Sequence, residues 1–169
     1  MRKYVVFIAC LIAFYLDTVL FPLTGLRNFA PEALIALFVS LGVLIGGGTT
    51  ALIGGAVGLL VDMLFNKYVG LSSAFFIGAA LAGGLFHNKF YADNLIIPSV
   101  TAAAVMFIKE HIMLIVVLIA GGRLNGYMRT LAAHILPAAL LTGGLCALIH
   151  LVLRSTVFDP RRHKDLDGR

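Results

Sequence analysis

Apolar residues fill this chain in long blocks, and polar positions gather between the blocks rather than alternating within them. The blocks lie at roughly 4–21, 30–46, 49–66, 69–87, 94–121 and 130–154. The breaks read "FPLTGLRNFAP", "GGGT", "NKYVG", "HNKFYADN" and "GGRLNGYMR". No segment repeats with a period of two, so strands are not predicted. A helix needs about 20 apolar residues to cross a bilayer, with about 17 as the short limit. The pattern therefore predicts an all-α integral membrane protein, with one six-span bundle over 1–154 and a basic cytoplasmic tail over 155–169. The link between the third and fourth blocks is very short, which leaves a five-span or re-entrant arrangement open.

Composition agrees with a lipid solvent. Of 169 residues, 60% are hydrophobic and 12% charged, with a mean hydropathy of +1.00. Soluble domains carry about twice that charge fraction, so too little polar surface remains to cover a water-soluble globule. The opening "MRKYVVFIACLIAF" has the basic start and apolar core of a secretory leader but no small-x-small cleavage site. It reads as a retained first helix. Cys10 and Cys146 sit inside apolar blocks without ligand spacing and are expected to pack as small hydrophobes.

Charge then orients the bundle. Six spans put both ends on one side, with Arg2, Lys3, Lys89, Arg154, Arg161, Arg162, Lys164 and Arg169. Arg27, Lys67, Arg123 and Arg129 fall on the other side, and Lys109 lies within a span. The excess places the termini in the cytoplasm by the positive-inside rule. Topology accounts for the net charge of +5, and no aromatic-interleaved basic patch points to nucleic acid. The tail reads as a topology-setting end, with contact to anionic lipid headgroups as the other possibility.

Seven glycines crowd residues 42–58, with Gly42/Gly46 and Gly54/Gly58 as GxxxG pairs. Ala79/Gly83 and Ala80/Gly84 repeat the small-xxx-small spacing. Such pairs let helix backbones approach closely in lipid, so the second to fourth spans are expected to pack tightly. "GGGT" lacks the Gly-Lys-Ser/Thr of a phosphate loop.

Charges inside a membrane are costly, about 2.5–3.5 kcal/mol each at mid-depth, and mark either a buried pairing or a functional path. Asp62 shares a helical face with Gly55, Leu59 and Asn66 and is expected to point at another helix. Lys109, Glu110 and His111 occupy successive positions, about 100° apart, so they cannot share one partner. Lys109 is expected to neutralise Asp62 or Asp17, with Glu110 as a competing partner. Asp17 is expected to reach headgroup water, and His134 and His150 to sit at interfaces. His87 and Asp93 are assigned to a cytoplasmic loop.

Catalysis is not expected. An Asp17/Asp62 dyad is conceivable for intramembrane proteolysis, but no polar cluster flanks either aspartate to orient a water. Gly-x-Ser-x-Gly and HExxH are both missing from the sequence. No metal, no cofactor and no catalytic residue are expected.

The stretch from Phe29 to Phe86 resembles the bacterial rod-shape-determining membrane protein family MreD. The resemblance rests on the Pro31–Glu32 pair opening the second span and a glycine at Gly46 or Gly47. It continues through "G-x-x-x-G-L-x-x-D" from Gly54 through Gly58 to Asp62, and Gly70 eight residues on. It covers about a third of the chain, and "NKYVG" lacks a proline the family often carries there. "IKEH" around Lys109 matches no family signature. The resemblance implies a six-helix fold similar to the substrate-binding subunit of energy-coupling-factor transporters. It also implies a non-enzymatic scaffold in the cell-wall elongation machinery, regulating peptidoglycan synthesis and cell shape. The implied partners are an MreC-like periplasmic scaffold and, around it, RodA, a class B penicillin-binding protein and the actin-like filament protein. On this view a glycine-smoothed face admits the partner helix while Asp62 and Asn66 give polar contacts. The alternative is a solute-binding transporter subunit with an outward-opening pocket.

Overall fold

The computed structural model describes residues 2–23, 31–65, 70–87, 94–119 and 131–157. Helix α1 (Arg2–Tyr15) runs through a π-helical turn (Leu16–Leu20) into α2 (Phe21–Leu23). α3 (Ala33–Ile45), α4 (Gly47–Phe65), α5 (Leu71–Gly84) and α6 (Ile96–Ile119) follow. A second π-helical turn (Leu131–Ile135) leads into α7 (Leu136–Val157). No strand occurs among the described residues, as expected where each backbone group must be satisfied locally in lipid.

Among the described residues, four stretches are long and apolar enough to cross a membrane: Tyr4–Leu23, Gly47–Phe65, Ile96–Val116 and Leu131–Ser155. The second and fourth expected spans are shorter than the sequence blocks that contain them. α3 has 13 residues and α5 has 14, or about 20 Å each at 1.5 Å per residue. α3 is ended by Gly46, whose φ of +107° is comfortable only for glycine. That break lets α4 begin one residue later.

α3 is the hub. Every residue from Ala33 to Val43 is buried, which is why this helix is apolar on all sides. α4 and α5 form one flank, α6 and α7 the other, and α1 lies along α3. Glycines set the first flank. A Cβ at Gly58 would overlap the Ser73 backbone, one at Gly83 the Val39 carbonyl, and one at Gly84 the Gly47 backbone. The small-residue pairs are thus consumed in packing α3, α4 and α5 together.

The other flank has a simple register. α7 pairs with α3 at a constant offset of 110 residues, one contact per helical turn. Thr142 Oγ1 accepts from the Glu32 N–H at 3.2 Å, Cys146 Sγ lies 3.4 Å from the Ala36 carbonyl, and Ser40 Oγ lies 3.0 Å from His150 Nδ1. The helices therefore run parallel. His150 is fully buried, which corrects its expected interfacial position. Cys10 and Cys146 are both buried and free.

Candidate functional site

Two carboxyl groups hold the starts of the two short helices. The first four N–H groups of a helix have no partner within it. The π-helical turn after α1 carries Asp17, whose Oδ1 accepts from the Ala33 N–H at 2.6 Å and whose Oδ2 accepts from the Leu34 N–H at 2.9 Å. Asp62, one turn from the end of α4, does the same for α5. Its Oδ2 accepts from the N–H groups of Gly70 at 2.8 Å and Ser72 at 3.0 Å, with Ser73 at 3.4 Å. Ser73 Oγ then donates to the Gly55 carbonyl at 3.0 Å. Both acids sit where a helix macrodipole favours negative charge.

These contacts answer why an acid sits in the apolar run around residue 62. Asp62 faces protein, as its helical face implies, and its exposure is 0%. What it meets is the start of α5 in the same chain. Gly70 supports the arrangement with φ +100°, aiming its N–H at the carboxyl. Gly54 faces the Phe76 carbonyl and Gly58 the Ser73 backbone. The docking role expected of Asp62, Gly54 and Gly58 is therefore corrected: that face of α4 is filled by α5, leaving no room for a partner helix. Asn66 lies outside the described residues.

Around the start of α3 the polar groups form a larger knot. Glu32 pairs with Lys109 of α6, Thr142 of α7 holds the Glu32 N–H, and Asp17 closes the next two donors. Lys109 thus finds Glu32, not the Asp62, Asp17 or Glu110 partners the sequence pointed to. Asp17 is a cap and not a headgroup contact. Pro31 is buried just ahead of α3; its fixed φ and missing N–H suit a helix entrance. Glu110 is half-buried beside Lys109. His111 bonds within its own helix to the Phe107 carbonyl at 2.9 Å, with the two rings 4.2 Å apart.

At the opposite end of α3, His87 Nδ1 lies 2.9 Å from the Val43 carbonyl, and its ring lies against Gly46. The residue assigned to a loop therefore seals a helix C-terminus. Asp93 lies outside the described residues. The sequence reading missed Thr142, Ser40 and His87. The signal for Thr142 was the four-residue spacing of Thr142, Cys146 and His150, which marks one face of α7.

Asp17 caps the start of α3 and Asp62 the start of α5. No group of three or more metal-ligating side chains occurs among the described residues. A cleft of about 610 Å³ opens between α1 and α4. Val6, Cys10 and Phe14 line one wall, and Ile53, Val57 and Val61 the other. Phe14 and Phe65 rings, 5.8 Å apart, bring the walls together at one end. Phe7, Leu11, Leu60 and Leu64 on its rims are more than half exposed, so the cleft opens sideways. None of its lining residues is charged.

No family model, no curated protein and no solved structure matches this chain.

Proposed function

We propose that this chain crosses the bacterial cytoplasmic membrane six times, with both termini inside, as a non-enzymatic scaffold of the cell-wall elongation machinery. It docks an MreC-type membrane-anchored partner and through it regulates peptidoglycan synthesis and cell shape. The observation that supports this reading is the sideways apolar cleft between α1 and α4. Its lining offers hydrocarbon contact and no charged group, which suits a membrane-buried helix and gives a soluble metabolite nothing to bind. The resemblance over Phe29 to Phe86 supplies the identity of the partner. Packing against α1 and α4 carries the affinity, because interhelical hydrogen bonds in lipid average only about 0.6 kcal/mol.

The test is co-purification of the full chain with an MreC-like partner, comparing wild type with Val57→Trp and Leu11→Trp, which fill the cleft from opposite walls. Recovery is expected to fall at least tenfold in both, with rod-shaped cells rounding up. Undiminished recovery and normal rods in both variants would remove the docking role.

A further inference from the structure

The cleft between α1 and α4 has a definite size and a definite wall chemistry. Both helices rest on α3 rather than on each other, so a gap stays open between them. Along α4 it runs from Thr49 to Leu64, about 22 Å at 1.5 Å per residue. A helix of that length and about 10 Å across fills about 1,800 Å³. The cleft, at about 610 Å³, holds about a third of that. It therefore takes one face of a helix and leaves the rest in lipid. A third of the circumference matches the width of an ordinary apolar helical stripe, about 100° or more.

The walls exclude a close backbone approach. On α4 the small residues are already spent, because Gly54, Gly55 and Gly58 all face α5. What α4 turns to the cleft is Ile53, Val57, Leu60 and Leu64, in steps of four, three and four that keep to one helical face. α1 contains no glycine, and its rim residues Phe7 and Leu11 are large and more than half exposed. Hydrogen bonding has little to offer there. The lining carries no charged residue, and the Thr49 hydroxyl donates to the Gly46 carbonyl at 3.4 Å. Complementarity therefore calls for an apolar face. The bulk of the walls holds helix axes about 8–10 Å apart, the separation at which side chains interdigitate as knobs into holes.

We infer that the occupant is a single membrane-spanning helix whose docking face carries large aliphatic or aromatic residues at three- and four-residue spacing. It packs by interdigitation, without a small-xxx-small contact. This rests on the docking reading and adds the chemistry of the partner's face. α4 thus uses two packing modes on two sides: glycine contacts toward α5 and bulky contacts toward the partner. A helix presenting glycine or serine to the cleft would leave it partly unfilled, and the lining atoms would lose their dispersion contacts.

The experiment is recovery of the MreC-like partner by the full chain with its walls trimmed. Leu60→Ala and Leu11→Ala remove bulk from the two rims at positions more than half exposed, where substitutions leave the fold nearly unchanged. Each is expected to lower recovery by about threefold or more. Leu52→Ala, on α4 but outside the cleft and 78% exposed, is expected to recover the partner as wild type does. Recovery that rises in the rim variants would show close backbone approach and overturn the inference. Unchanged recovery in them, or an equal fall with Leu52→Ala, would show that the cleft walls do not grip the partner, which overturns it as well. Val57→Trp and Leu11→Trp separate the two readings. If they also leave recovery intact, the docking reading falls too; if they lower it, only the packing mode falls.

Discussion

At the scale of single residues, Asp17 and Asp62 act on backbone. Asp62 accepts from the N–H groups of Gly70, Ser72 and Ser73, so removing its side chain strands donors in a site with no exposure. Each buried donor left without an acceptor costs about 1–3 kcal/mol. Asp62→Ala is therefore expected to destabilise the folded protein by about 2–4 kcal/mol on that principle. Asp62→Asn keeps one acceptor oxygen, and the strongest contacts all converge on Oδ2, so its loss should be less than half as large. Thermal unfolding of the purified protein measures both. Equal losses would mean that charge rather than hydrogen bonding holds the α5 start.

The run around Asp62 shows how much of this was legible. That the side chain turns toward protein follows from its helical face and from the cost of an acid in lipid. Which protein it turns toward does not, because the partner is an N–H array whose position depends on α5 starting at Gly70. Lys109 failed for a similar reason. Sequence counts candidate acids, while pairing depends on which helix stops short, and nothing in "FAPEALIALF" marks how deep α3 begins.

At the scale of helices, packing divides the glycines into two classes. Gly58 and Gly83 lie where a Cβ meets backbone, whereas Gly48 and Gly78 have nothing within 4 Å of that position. Overpacking a close contact costs about 1–3 kcal/mol. Gly58→Ala and Gly83→Ala are expected to lose about that much, again about 1–3 kcal/mol, while Gly48→Ala and Gly78→Ala should unfold within a few degrees of wild type. A parallel thermal series on the four variants checks this, and a uniform response would undercut the assigned α3–α4–α5 contacts. The GxxxG spacing made the existence of a close contact legible. It did not say whether the contact lies within the chain or across to a partner, since both use the same chemistry.

At the scale of the whole molecule, the helical blocks were the most legible feature, because burying a helix in lipid imposes length and hydropathy together. The shortness of α3 and α5 was hidden, since the apolar blocks run on beyond the helix ends. The Glu32–Lys109 pair ties the start of α3 to α6, joining the hub to one flank. Removing one partner of a poorly solvated pair is far more damaging than removing both. Lys109→Met alone is expected to lower stability more than the Glu32→Gln/Lys109→Met double variant. A double-mutant cycle on thermal unfolding measures the difference, and strict additivity would count against the pair joining α3 to α6.

The 110-residue register between α3 and α7 bears on how the chain is assembled during synthesis. Glu32, Ala36 and Ser40 are translated early, yet their contacts at Thr142, Cys146 and His150 emerge only after four-fifths of the polypeptide has left the ribosome. Until then α3 lacks the α7 partners of the Glu32 N–H and of Ser40. Arrival of α7 is thus the closing step of biogenesis. A chain stopped after residue 130 should be degraded many-fold faster in pulse-chase experiments, and co-expressed residues 131–169 should rescue it.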